Sequence, residues 1–127
     1  MRLSLVALLV RDYDEAIDWF GRALGLRLAD DEDQGAGKRW VVIEDEAGRG
    51  LLLAKAIKPE ELAAVGNQQG GRVGFFVEVA DFEAALNRLT AAKATFDEKP
   101  RREAYGKVVV FRDLYGNRWD LIEPKLD

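Results

Sequence analysis

The chain has 127 residues, of which 48% are hydrophobic and 33% charged, with a net charge of −4. That describes one ordinary globular domain and argues against a nucleic-acid surface, where a basic footprint is expected. It contains no cysteine and no histidine, which excludes disulfides, thiolate sites and histidine-based triads.

Residues 3–10 form an almost continuous apolar run, predicting a strand covered on both faces. The segment Arg11-Asp12-Tyr13-Asp14-Glu15, four of its five residues charged, follows at once with no cleavage site, so a signal peptide is set aside. Asp12 or Asp14 is placed to cap a helix in which Ala16, Ile17, Phe20, Ala23 and Leu24 recur at helical spacing, and Gly25 stops it. A second strand begins at 26–28, before a polar loop over 30–38. Residues 40–44 and 51–54 then read as an antiparallel pair about a glycine-rich turn. Pro59 heads a short helix, and 67–71 make a Gly-rich linker. The same order returns: strand 73–79, helix 81–92, short strand 95–96, strand 107–112 and strand 118–122. The last two are joined by Asp113-Leu114-Tyr115-Gly116-Asn117, where Gly116 and Asn117 tolerate positive φ. No stretch is long enough to span a bilayer. The chain is expected to be cytoplasmic, with neither nucleic acid nor membrane as a partner.

This order is a repeat. Residues 10–17 align without a gap on 79–86, 69 positions later, and 42–48 align on 110–116, 68 positions later. Such a period indicates a duplicated strand-helix-three-strand unit.

Val10-Arg11-Asp12-Tyr13-Asp14-Glu15-Ala16, together with residues 111–121 from Phe111 through Asp113, Gly116 and Asn117 to Asp120, resembles the vicinal oxygen chelate superfamily. That superfamily groups glyoxalases, extradiol dioxygenases, fosfomycin-modifying enzymes and bleomycin-resistance proteins. The resemblance covers essentially the whole chain. It implies an α+β fold in which two βαβββ modules form an incomplete mixed β-barrel with a ligand on its concave face, often within a homodimer. The expected organisation is a single domain over 1–127: a module over 1–57, a connecting helix and linker over 58–71, and a module over 72–127.

The family's metal ligands fall on Leu5 and Gly74 in the first strand of each module, and on Leu52 and Asp120 in the last. Only Asp120 can coordinate by its side chain, and one aspartate does not make a transition-metal site. The expectation is therefore no metal and no cofactor.

Strand alternation places other residues beside these positions. With Asp113 opposite Arg118, Phe111 faces Asp120, Tyr105 and Lys107 lie further along, and Gly74 shares its face with Phe76 and Glu78. In the first module Leu5 shares with Ala7 and Leu9, and Leu52 with Ala54, Ile43 and Val41. Trp40, Val42, Phe75, Val77, Trp119 and Leu121 then pack on the helices. The expected ligand-binding residues are Phe76, Glu78, Tyr105, Phe111 and Asp120, with Lys107 and Arg118 available to neutralise the carboxylates. Such a wall suits an apolar or aromatic ligand held by a few polar groups.

The leading expectation is a metal-independent small-molecule binder that sequesters its ligand without changing it, in the manner of the bleomycin-resistance proteins. Two alternatives stand beside it. One is a lyase- or isomerase-type enzyme with an atypical metal or carboxylate-base site, whose catalytic residues are unassigned. The other is a ligand-free interaction or regulatory dimer.

Overall fold

The structure is a computed structural model and describes residues 1–126. It divides into two units, Met1–Val65 and Gly66–Asp127. The division falls within the expected linker region.

In the first unit β1 (Val6–Val10) leads to α1 (Tyr13–Leu24), then β2 (Arg27–Asp33), β3 (Arg39–Glu44), β4 (Gly50–Lys55) and the short α2 (Pro59–Ala64). The sheet order is β1-β4-β3-β2, with β1 parallel to β4 and the other pairs antiparallel. The Asp12 carboxylate caps α1 by accepting from Glu15 N at 2.8 Å, and Gly25 ends the helix at φ 69°. Ala16, Trp19, Phe20 and Ala23 of α1 are buried, as are Leu8, Val10, Val41, Ile43 and Leu53 of the sheet. The acidic stretch expected as loop is strand instead: β2 runs through Asp33. Its charged side chains suit an exposed sheet edge, where they discourage pairing with another chain.

In the second unit β5 (Val73–Glu78) leads to α3 (Phe82–Ala91), then β6 (Thr95–Phe96), β7 (Arg101–Glu103), β8 (Gly106–Arg112) and β9 (Arg118–Pro124). Here β5 is parallel to β9, β8 is antiparallel to β9, and β6 and β7 both pair with β8. The short β7 was not legible in a charged stretch with Pro100 just before it. Asp81 lies 69 residues after Asp12 and repeats its role, accepting from Ala84 N at 3.0 Å. The repeat thus reproduces a helix cap as well as a strand order. The architecture is mixed α+β, with two open sheets, one in each unit.

The β3–β4 and β8–β9 hairpins are built alike. Each has a five-residue connection that opens on aspartate and carries a positive-φ glycine fourth: Gly48 at 82° and Gly116 at 104°. The Asp45 carboxylate accepts from Ala47 N and Arg49 N, both at 2.9 Å. Asp113 accepts from Tyr115, Gly116 and Asn117 N at 2.9, 3.0 and 3.1 Å. Its other oxygen accepts from Asn117 Nδ2 at 3.0 Å and Trp119 Nε1 at 2.9 Å. Asn117 has no positive φ; it is buried and serves as a hydrogen-bond partner.

This connection changes the register. Asp113 belongs to the turn, and the last pair is Arg112 with Arg118, so Phe111 lies opposite Trp119 and Val110 opposite Asp120. The expected pairing of Phe111 with Asp120 is therefore displaced by one residue. In the first unit Val42, not Val41 or Ile43, pairs with Leu52. In the second unit the cause is Asp113 counted as a strand residue; in both units a slip of one residue moves the whole strand to the other face.

Candidate functional site

In the second unit, β9 is the central strand on which the candidate face is built. Phe76 of β5 and Val110 of β8 both pair with Asp120. Phe76 is 64% exposed, although it lies in the middle of a strand. The reverse face carries a stack of Phe75 on Trp119, with centroids 4.5 Å apart, and of Phe111 on Trp119 at 5.8 Å. Alternation puts large aromatics on both faces, and of Phe75, Phe76, Phe111 and Trp119 it is Phe76 that is exposed.

Asp120 is the group that stands out. Its Oδ1 is buried with no hydrogen-bond partner among the described residues. Burial pushes the carboxyl above the ordinary aspartate range. Arg101 opposes that shift, Glu98 adds to it and Arg118 opposes it. The neighbouring cations are committed elsewhere. Arg101 binds Glu98 and Glu103, each at 2.6 Å. Asp97 takes Arg112 Nε at 2.8 Å and Arg118 Nε at 2.9 Å. Burial raises the Asp97 pKa, but the two guanidinium groups outweigh it and hold the carboxyl below its usual value.

A carboxyl raised by burial binds its proton more tightly folded than unfolded, so its contribution to stability falls as pH rises through that range. Asp120→Asn removes this cost. The variant is expected to melt at a higher temperature than the parent at pH 7, with the gain vanishing below the ordinary aspartate range. Thermal melts across pH 3–8 check this, and a gain independent of pH would rule out the buried charge as its origin.

The other expected site residues are spread out. Glu78 pairs with Ile122, two residues along from Asp120, and is exposed at the strand end. Tyr105 is exposed at the tip of the β7–β8 hairpin, five residues along β8 from Val110, or about 17 Å for an extended strand. Phe111 is fully buried on the opposite face and cannot touch a ligand bound beside Asp120. Lys107 pairs with Glu123 on that opposite face, its ammonium 3.7 Å from the carboxylate. The face thus unites Phe76 and Asp120, adds Val110, and reaches Glu78 at its end.

At that end the unit has a cavity of about 770 Å³, lined by Glu78, Glu103, Gly106, Lys107, Glu123 and Lys125 among others. Its size lies within the range of small-molecule sites. Gly106 in its lining sits tight against β9, where a Cβ would lie 2.1 Å from Glu123 O.

The metal positions of the family do not fit a metal here. In the first unit Leu5 and Leu52 are aliphatic, and Leu52 pairs with Ala7 and Val42. In the second, Gly74 has no side chain and Asp120 provides a single carboxylate. Among the described residues no group of three or more His, Cys, Asp or Glu converges to hold a metal ion. No helix among them is long and apolar enough to cross a membrane.

Comparison with known proteins agrees with this architecture. An uncharacterized protein of Shewanella frigidimarina (strain NCIMB 400) is 46% identical over 128 residues, covering 97% of this chain and 95% of that protein. Among solved structures, UcmS2 is 28% identical with a TM-score of 0.78, covering 97% of this chain and 98% of that one. TnmS3, an antibiotic binding protein from Streptomyces sp. CB03234, is 24% identical with a TM-score of 0.74 over 98% of this chain and 97% of that one. The family profile of the Glyoxalase/Bleomycin resistance protein/Dioxygenase superfamily matches residues 2–121, and the chain belongs to that superfamily.

Proposed function

We propose that this protein binds a small molecule without a metal, holding an apolar or aromatic ligand on the Asp120 face of the second unit and leaving it chemically unchanged. The observation that carries the reading is the buried, unpartnered Oδ1 of Asp120 beside the exposed ring of Phe76. A buried carboxylate oxygen without a donor is costly, and a ligand ammonium or N–H removes that cost while its ring covers Phe76. The donor set argues against metal chemistry, since three of the four family positions carry no side-chain ligand. TnmS3 is described as an antibiotic binding protein; on this chain's own residues, Asp120 and Phe76, the ligand that suits the face is aromatic and cationic.

The test is a thermal-shift screen of untagged, chelator-treated protein against aromatic antibiotics that carry an amine. A ligand at about 100 times its Kd stabilises by about 2.7 kcal/mol. At least one compound is expected to raise the melting temperature, with Asp120→Asn or Phe76→Ala reducing its affinity about tenfold, in keeping with loss of a charge-assisted bond or of aromatic stacking. Binding that needs a stoichiometric transition metal overturns the metal-free reading. A shift indifferent to both substitutions overturns the site.

A further inference from the structure

The position at which the family places a metal ligand in the second unit is filled rather than vacant. A Cβ built on Gly74 would lie 2.3 Å from Cδ, 2.4 Å from Cγ and 2.6 Å from Oε1 of Gln69. The Gln69 side chain therefore lies directly on the Gly74 backbone, where a residue-74 side chain would project. Gly74 is also the extra residue of an irregularity in the β5–β9 ladder: Val73 pairs with Arg118 and Phe75 with Trp119, leaving Gly74 between them. It keeps the parity of Phe76, so the glutamine rests on the Asp120 face.

The turn that carries Gln69 is well anchored. Gly70 N donates to Asn67 O at 3.1 Å, and Gly70 and Gly71 both take positive φ. Arg118, two residues before Asp120, donates from Nη1 to Gly71 O at 3.1 Å. Gln69 is half-buried, and among the described residues its side-chain amide has no hydrogen-bond partner. An amide offers a donor and an acceptor side by side, and with no protein partner both are open to a ligand.

We infer that Gln69 is a second polar anchor of the ligand site, and that the site takes a planar aromatic bearing an amine at one end and a carboxamide or lactam edge at the other. The ammonium meets Asp120, the ring lies on Phe76, and the amide edge pairs with Gln69. This rests on the small-molecule reading above and adds to it the class of ligand.

The probes are 3-(aminomethyl)benzamide, benzylamine, which lacks the amide, and benzamide, which lacks the amine. Affinities are read by NMR titration of the parent protein, Gln69→Ala, Gly74→Ala and Asp120→Asn. The parent is expected to bind 3-(aminomethyl)benzamide about fivefold more tightly than benzylamine, the ordinary worth of one net hydrogen bond. Gln69→Ala is expected to abolish that preference while leaving benzylamine binding unchanged. Gly74→Ala is expected to do the same, because its methyl displaces the flexible glutamine, and the double variant is expected to lose no more than either single one. Both variants should retain the parent's amide spectrum away from residues 67–76, which separates lost recognition from lost folding. Binding that depends on Asp120 but shows no carboxamide preference, or keeps that preference in Gln69→Ala, overturns the role of Gln69 and leaves the small-molecule reading standing. Absence of binding by all three probes overturns the ligand class, and chemical shift changes indifferent to Asp120→Asn overturn both readings.

Discussion

Asp113→Ala is expected to destabilise the protein by about 3–5 kcal/mol, enough to remove much of the stability of an ordinary domain. The carboxylate is buried and accepts five hydrogen bonds, from three consecutive backbone amides, the Asn117 amide and the Trp119 indole. Alanine removes all five of these bonds, leaving Gly116 N only its bond to the Asp113 carbonyl at 3.1 Å, and buried donors that lose their acceptor carry a desolvation cost. Asparagine is no remedy. Retaining Oδ1 for the backbone would turn an NH₂ group toward Asn117 Nδ2 and Trp119 Nε1, which are both donors. Asp45→Ala is the internal control, since that aspartate holds the same turn position with two hydrogen bonds near the surface, and its loss is expected to cost about 1 kcal/mol. Urea denaturation of the three variants checks the order. Equal effects of Asp113→Ala and Asp45→Ala would show that the hydrogen bonds to Asn117 and Trp119 contribute nothing.

Phe111→Ala and Phe76→Ala are expected to behave as opposites. Phe111 is fully buried against Trp119, itself stacked on Phe75, so its truncation opens a cavity in the core and costs about 4 kcal/mol. Phe76 is largely exposed, and its truncation should change stability by no more than about 0.5 kcal/mol while weakening the ligand. Denaturation midpoints together with a binding assay settle the matter. A stable Phe111→Ala that fails to bind would return Phe111 to the ligand face and show the register to be displaced by one residue.

That contrast marks how far the residues alone could carry the reading. The duplication was legible because both units spell the same sequence of signals: an apolar strand, an aspartate at position 12 or 81, a helical stripe, and an aspartate-opened turn with glycine fourth. Each signal is local. A helix cap needs only its own first turn, and a turn glycine only its own φ. The α+β fold and the superfamily were what the resemblance carried by residues 10–16 and 111–121 implied, and the match over residues 2–121 shows that family. Asp120 could be singled out because it alone retains a side-chain donor among the four metal positions.

The face of each strand was a different matter. Whether Asp113 ends a strand or opens a turn changes the count by one, and one residue exchanges every side chain between ligand face and core. A signal was present, since Asp45 and Asp113 occupy equivalent positions and aspartate bonding to its own downstream amides is a turn signature. It is outweighed in sequence by the apolar run 108–111, which reads equally well in either register. Gln69 lay beyond sequence reasoning altogether. Nothing in Asn67-Gln68-Gln69-Gly70-Gly71 says that one glutamine folds back over Gly74.

The amino-acid sequence by itself determined that this chain is a duplicated βαβββ protein lacking the imidazoles of its family's metal sites, because composition and short-range pattern are properties of neighbouring residues. Tertiary structure alone decided that Phe111 belongs to the core, that Asp120 keeps a buried oxygen without a donor, and that a linker glutamine stands where a metal ligand would project. Those outcomes depend on register and burial, which exist only once distant segments have paired.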